Sequence, residues 1–94
     1  MHDWILLSIL YEWEAARVTI SLQWREEAVL PLIAEGVSDL HIPKLKEWGS
    51  SVSINEVRAP SNGAIGSHTL EIEMQTGDVI KIEAARFAFP PEAT

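Results

Sequence analysis

Hydrophobic and polar residues alternate along much of the chain, and the clearest alternation lies in its last third. The segment Leu70-Glu71-Ile72-Glu73-Met74-Gln75 puts its apolar side chains on one face of an extended strand and its polar ones on the other. Thr76-Gly77-Asp78 follows, and then the largely apolar residues 79–84. This order predicts an antiparallel hairpin with one buried face and one solvated face.

The length of the hairpin loop decides where Lys81 points. An odd loop, of three or five residues centred on Gly77, leaves Lys81 on the wet face, whereas two or four residues turn its ammonium group into the core at a cost of several kcal/mol. We therefore expect Met74 to lie opposite Ile80, with the later pairs in the same register.

The predicted register has a consequence for the acidic face. Glu73 is expected beside Lys81, whereas Glu71 is expected to face Glu83 in a mild repulsion. A lysine or arginine from a partner would relieve that repulsion. The candidate partner-binding residues are therefore Glu71, Glu73 and Glu83, joined by Trp48, which we expect over the rim of a sheet.

Further segments also have strand-like patterns, and together they predict a single all-β domain spanning residues 1–94. We expect an antiparallel meander of about six to seven strands that forms a small sandwich or half-barrel. The additional strands are predicted at residues 4–13, 17–24, 28–34, 37–42 and 51–58.

The first segment is apolar on both faces, so periodicity alone also allows a helix beginning after Asp3. We favour a strand because residues 17–24 alternate clearly and supply a partner. A four-residue loop of right-handed residues, 14–17, then joins the two strands and sets Trp13 opposite Val18.

Local features refine the remaining strands. Pro31 cannot donate a ladder hydrogen bond, so its segment is expected at an edge or a bulge. Leu40 and Ile42 are expected to point inward. Val57 is out of phase with Val52 and Ile54, which predicts a bulge near residues 55–56.

Loops and termini complete the predicted architecture. Pro43 should end the fourth strand, and residues 60–67 are expected to form the longest and most mobile loop. The tail from Phe87 onward, with Pro90-Pro91, is expected to leave the sheet.

Composition indicates an ordinary folded domain without disulfides. Apolar residues make up 47% of the 94 residues, and the chain has four tryptophans but no cysteine. Four tryptophans are more than so small a core easily hides, which suggests surface for a partner. The first apolar run is too short to span a membrane, and no secretory leader pattern opens the chain, so we expect a cytoplasmic protein.

The charge balance argues against two classes of partner. Fourteen acidic and seven basic residues give a net charge of −7, which repels nucleic acid and anionic membranes. A protein with a basic surface is the partner that such a charge favours.

Candidate catalytic and metal-binding groups are sparse. His2, His41 and His68 lack metal-ligand spacing, and Asp39 with His41 is the one acid–base pair that a strand face would bring together. The glycine-containing residues 63–67 lack the lysine and helix start of a phosphate-binding loop. We therefore predict no enzyme activity, no metal and no cofactor.

The N-terminal pattern resembles a loose group of small bacterial β-sheet proteins. The resemblance is carried by His2-Asp3-Trp4, the segment Leu6-Leu7-Ser8-Ile9, Glu12-Trp13 and the alternation of residues 18–22. Some members of that group are toxin-immunity proteins. The resemblance implies a non-enzymatic binding protein and assigns no functional residue.

Three functions follow as hypotheses. The first is a protein-interaction module, with toxin neutralisation as its most concrete form. The second is a homo-oligomer, such as a homodimer, formed by strand-edge pairing through residues 28–34 and spare aromatic side chains. The third is a small-ligand-binding protein or hydrolase that uses Asp39, His41 or His68.

Overall fold

The described part of the chain consists largely of β-strands. The computed structural model describes residues 4–24, 28–43, 53–62 and 67–90, and these ranges contain no helix. The eight strands are β1 (Ile5–Glu12), β2 (Arg17–Gln23), β3 (Val29–Glu35), β4 (Asp39–His41), β5 (Ile54–Asn62), β6 (His68–Met74), β7 (Val79–Ala84) and β8 (Arg86–Ala88).

The strands form two four-stranded antiparallel sheets. Sheet A has the order β1-β2-β3-β8, and sheet B has the order β4-β7-β6-β5. The prediction of a small all-β sandwich is thus confirmed, with a Cα radius of gyration of 12.7 Å. The expected simple meander is wrong, because β4 pairs with β7 and β8 returns to pair with β3. The described residues also hold eight strands, whereas about six to seven were predicted.

One hydrophobic core joins the inner faces of the two sheets. Alternate residues of β2, β6 and β7 are buried, as period-two packing requires. Sheet A contributes Leu6, Val18, Ile20, Leu22, Leu32 and Ala34, and sheet B contributes Ile54, Leu70, Ile72, Met74, Ile80, Ile82 and Ala84.

The first segment of the chain forms a strand, as predicted, but its register against the second strand differs from the predicted one. Glu12 pairs with Arg17 and Tyr11 pairs with Val18, so the four-residue loop is 13–16 and Trp13 does not oppose Val18. Ala16 has φ 49°, so the loop does not consist of right-handed residues alone. The carbonyl of Ala16 accepts a hydrogen bond from Val37 N at 2.9 Å, which ties the loop to the chain beyond β3.

The hairpin of β6 and β7 has the predicted faces but a register shifted by two residues. Ile72, not Met74, lies opposite Ile80. Met74 N donates to Asp78 O at 2.8 Å, which closes a three-residue loop. Gly77, with φ 98°, is the last residue of that loop and not its centre. The loop is odd as predicted, and Lys81 is exposed.

The C-terminal part of the described chain remains in the structure. Phe87 pairs with Ala34 in sheet A and Pro90 is fully buried, so the expectation that the tail leaves the sheet at Phe87 is wrong. Strand β8 covers only residues 33–35 of β3. Pro31 therefore lies in the half of β3 without a described neighbour on that side, and the predicted edge position is confirmed there.

Two predictions near the middle of the chain have different outcomes. The register of β5 against β6 shifts between Ile54 and Glu56, which confirms the predicted bulge. Leu40 is partly buried against the core, but Ile42 is exposed and does not point inward. Residues 60–62 of the expected loop belong to β5, and residues 63–66 lie outside the described residues. Trp48, His2 and Val52 also lie outside the described residues.

Both crossings between the sheets pass the same point. Residues 36–38 lead from β3 to β4, and Ala85 leads from β7 to β8. Ala85 N donates to Glu35 O at 3.0 Å, and Gly36 has φ 68°. A Cβ on Gly36 would lie 2.8 Å from the Cβ of Ala85, so glycine is required by both conformation and space.

We expect Ile72→Ala to lower the free energy of unfolding by about 2–5 kcal/mol, because it opens a cavity in the shared core. Ile42→Ala is the matched control and should change stability by about 0.5 kcal/mol or less, since its side chain is already exposed. Urea denaturation measures both. Equal losses in the two variants would contradict the proposed core.

We expect Gly36→Ala to destabilise the domain by at least about 1–2 kcal/mol, because alanine resists the left-handed conformation. The contact with Ala85 adds to this loss. A double-mutant cycle with Ala85→Gly should show favourable coupling, because removing the second Cβ relieves the contact but not the φ strain. Strict additivity in denaturant melts would show that the two crossings do not touch.

Candidate functional site

The outer face of sheet B carries charged side chains in rows across its strands. His41, Lys81 and Glu71 follow one another across β4, β7 and β6, and Arg58 continues the row on β5. Adjacent rows hold Asp39 beside Glu83 and Glu56 beside Glu73. Inner positions are apolar, so alternation directs these charges to the opposite face.

Arg58 is the centre of an ion-pair network on this face. Its Nε donates to Glu71 Oε1 at 3.0 Å, and its Nη1 lies 3.1 Å from carboxylate oxygens of both Glu73 and Glu56. Lys81 Nζ lies 3.7 Å from the second oxygen of Glu71. The single guanidinium group therefore reduces the repulsion among three carboxylates that strand pairing brings together.

The network shifts the pKa values of two of its members toward their charged forms. Hydrogen bonds from Arg58 and then from Asn55 lower the pKa of Glu73 below its ordinary value of 4.5. Hydrogen bonds to Glu73 and Glu71 raise the pKa of Arg58. A carboxyl group with a lowered pKa is ionised at neutral pH, which is unfavourable for a general acid. Glu73 is thus equipped for ion pairing.

Glu83 lies apart from this network. Thr69 is its neighbour across β6, and Ser38 Oγ and Ser67 Oγ donate to its Oε1 at 3.3 and 3.4 Å. The predicted opposition of Glu71 and Glu83 is therefore wrong, because the hairpin register differs by two residues. The structure brings Glu71 and Glu73 together and separates Glu83 from them.

The candidate catalytic residues do not converge. Asp39 and His41 are exposed on the outer face of sheet B, as expected from their spacing. His68 pairs with the buried Ala84, so its register position belongs to the inner face. Within the described ranges, no group of three histidine or acidic residues could hold a metal ion. Those ranges likewise contain no helix long and apolar enough to span a membrane.

The outer face of sheet A combines one charged row with an otherwise uncharged surface. Glu12, Arg17, Glu35 and Arg86 alternate in sign across all four strands. Arg17 lies 3.7 Å from Glu12 and 3.6 Å from Glu35, and Arg86 lies 4.0 Å from Glu35. Beyond this row, the outward positions are aliphatic or small and polar, including Leu10, Thr19, Ile33 and Ala88 in one row and Ser8, Ser21 and Pro31 in the next.

Large hydrophobic side chains are exposed along the first hairpin. The exposed fractions are 48% for Leu7, 56% for Leu10, 36% for Tyr11 and 83% for Trp13. The rings of Tyr11 and Trp13 stack with centroids 5.5 Å apart. We call these four residues the β1 edge surface. Such a concentration of exposed hydrophobic residues is typical of an interaction site.

Over most of its length, the backbone of β1 has only one described neighbour, strand β2. Its first residues are covered, because Ile54 N donates to Trp4 O at 2.8 Å and Ile5 forms an isolated bridge with Ser53. From Leu6 to Glu12, no described strand pairs with the edge of β1 that lies away from β2. An unpaired strand edge presents a row of hydrogen-bonding groups to a partner.

The neighbouring edge strand of sheet B, β5, is protected where β1 is not. Strand β5 contains Pro60, two charged residues and two interruptions of its register, all of which hinder pairing with another chain. In β1 the corresponding protection is limited to a bulge at Leu7 and the terminal charge of Glu12. Of these two neighbouring edges, β1 is the one that favours association.

The sequence predicted spare tryptophan surface and nominated Trp48 for it. Trp48 lies outside the described residues, whereas Trp13 is the most exposed large hydrophobic side chain described. The usable signal was the run of residues 5–11, which is apolar on both faces although only one face of an edge strand meets a core.

Comparisons with known proteins do not constrain the site further. The chain matches no family model, no curated protein and no solved structure. The resemblance of residues 2–24 to toxin-immunity proteins therefore stays a prediction.

We expect Arg58→Gln to raise the pKa of Glu73 toward its ordinary value, because the principal hydrogen-bond donor to that carboxylate is lost. Lys81→Gln is the control, since Lys81 contacts Glu71 and not Glu73. An NMR titration of the Glu73 side-chain carboxyl measures both. An unchanged Glu73 pKa in Arg58→Gln would refute the network.

The same network predicts a pH dependence of stability. The folded-state pKa of Glu73 is lowered, so its stabilisation is present above its unfolded pKa of about 4.5 and is lost as pH falls through the folded value. The Tm difference between the native chain and Arg58→Gln should therefore be largest at neutral pH and shrink below about pH 4.5. A difference that grows on acidification would contradict this sign.

Proposed function

We propose that the chain is a non-enzymatic protein-interaction module of the cytoplasm and that it binds its partner through the β1 edge surface. The observation that carries this proposal is the exposure of Trp13, Leu10 and Leu7 beside a strand edge that no described strand covers. Leaving such side chains in water forgoes the stabilisation that their burial would give, roughly 1.5–3 kcal/mol for each fully buried aliphatic side chain.

The charged face of sheet B is a weaker candidate for primary contact. Arg58 already holds Glu71, Glu73 and Glu56, so a partner's cation would compete with an existing donor. Exposed ion pairs also contribute little to affinity on their own. These glutamates are better suited to attracting a basic partner over a distance than to forming the centre of an interface.

The surroundings of the β1 edge surface favour a partner whose contact region is apolar with basic residues at its rim. Glu14 is exposed at the tip of the hairpin and forms no hydrogen bond or ion pair with another described residue. Tyr11 and Trp13 present a stacked pair of aromatic rings in the same hairpin, and an arginine or lysine can interact with both a carboxylate and such a ring. The net charge of −7 supports the same preference.

Toxin neutralisation is the specific form of binding that the resemblance of residues 2–24 implies. The β1 edge surface lies within those residues, so the proposal and the resemblance concern the same part of the chain. Its partner would then be a basic toxin whose active surface is covered by the first hairpin.

We expect Leu10→Lys to reduce capture of protein partners from a lysate of the native host at least about tenfold, because it places an unpaired charge in the centre of the contact. The matched control is Ile42→Lys, which makes the same change on an exposed residue after β4. Quantitative mass spectrometry of material bound at micromolar bait measures the difference. Equal recovery with both variants, or no partner with the native chain, would contradict the proposal.

A further inference from the structure

We infer that the β1 edge surface pairs with the same surface of a second copy of this chain, joining two A sheets into one continuous eight-stranded sheet. This inference rests on the proposed function for the location of the contact. It goes beyond that proposal by identifying one occupant, its strand direction and its register.

Symmetry limits the possible arrangements. Two identical strands that pair about a twofold axis must run antiparallel, and a residue on the inner face must meet another inner-face residue. In β1, Ile9 and Tyr11 pair with the buried Ile20 and Val18 and so occupy the inner face. Leu10, which pairs with Thr19, occupies the outer face. After the bulge at Leu7, this condition is met only when the twofold axis passes between one residue and the same residue of the second copy.

One of these registers pairs nearly every exposed hydrophobic residue of the edge. When Leu10 lies on the axis, it meets Leu10 of the second copy, and Tyr11 meets Ile9. Trp13 then comes beside Leu7 of the second copy. Each of the four residues of the β1 edge surface thus meets a hydrophobic residue of the second copy, and the most exposed of them, Trp13, covers the bulge residue Leu7, which pairs with no described strand.

The charges agree with the same register. Glu12 meets Ser8 of the second copy, which can donate a hydrogen bond to a carboxylate. A register centred on Glu12 would instead place two glutamates opposite each other, which is unfavourable. The charged row of sheet A ends at Glu12, so in the joined sheet one such row lies on either side of the axis, away from its counterpart.

Size and net charge predict a weak and salt-dependent dimer. The paired stretch is five residues long on each strand. Its contact area is therefore small compared with a standard interface, which buries about 800 Å² on each partner. Two copies of net charge −7 also repel at long range, and salt screens that repulsion. The dimer should therefore become tighter as ionic strength rises, whereas a complex with a basic protein should become weaker.

The oligomeric state is tested by analytical ultracentrifugation of the whole chain from about 10 µM to about 1 mM. We expect a monomer–dimer equilibrium with no larger species and a smaller Kd at about 0.5 M than at about 0.05 M salt. Leu10→Lys should weaken dimerisation at least tenfold, whereas Ile42→Lys should leave it unchanged. A strict monomer throughout, equal weakening by the two variants, or open-ended assembly would overturn the inference.

The register is tested by disulfide formation, because the chain has no cysteine of its own. Opposed residues of antiparallel strands have Cα atoms about 4.5–5.5 Å apart, within the range that a disulfide spans. Leu10→Cys should therefore cross-link to itself on mild oxidation, while Ser8→Cys should cross-link to Glu12→Cys and not to itself. Self-linking of Ser8→Cys without that of Leu10→Cys would refute the register.

The outcomes also separate this inference from the proposed function. A native chain that stays monomeric yet captures a host protein in a Leu10-dependent way would overturn the second copy as occupant and leave the binding surface intact. Dimerisation that Leu10→Lys does not weaken would show that another edge is used.

Discussion

The structure depends on one shared layer of apolar side chains between two sheets. Each sheet supplies every second residue to that layer, so an inner position has no place for an unpaired charge. The charged residues of β6 and β7 therefore lie outward, where strand pairing sets like charges side by side. Arg58 and Arg17 each hold two or more carboxylates across neighbouring strands. The surface ion pairs are in this sense a consequence of how the core is filled.

Residue periodicity predicted which face each side chain would occupy, but not which residues would lie opposite each other. A slip of two residues leaves every side chain on its own face, so the burial of Ile72 and Ile80 is satisfied in either register. The backbone conformation of the loop determines which residues lie opposite each other. Gly77 adopts positive φ at the end of a three-residue loop, and Ala16 adopts it at the end of a four-residue loop. Alanine carries no sequence signal for that conformation.

Features that depend on distant parts of the chain were beyond local reasoning. The return of β8 to sheet A, and hence the burial of Pro90, requires a crossing beside Gly36 some fifty residues earlier. The ion-pair network likewise needs Arg58 to meet Glu71 after the bulge in β5 has shifted the register. The bulge itself was predictable, because a change of phase within one strand is local. The exposure of Trp13 was not, since it follows from the loop position.

The placement of β8 also bears on the order in which the molecule can be completed during synthesis. Strands β1 to β3 leave the ribosome first, yet residues 33–35 of β3 receive their second neighbour only when Arg86–Ala88 have emerged. Until then the nascent sheet has open sides at both β1 and β3. Sheet A therefore cannot be completed on the β3 side before the last third of the chain has been synthesised.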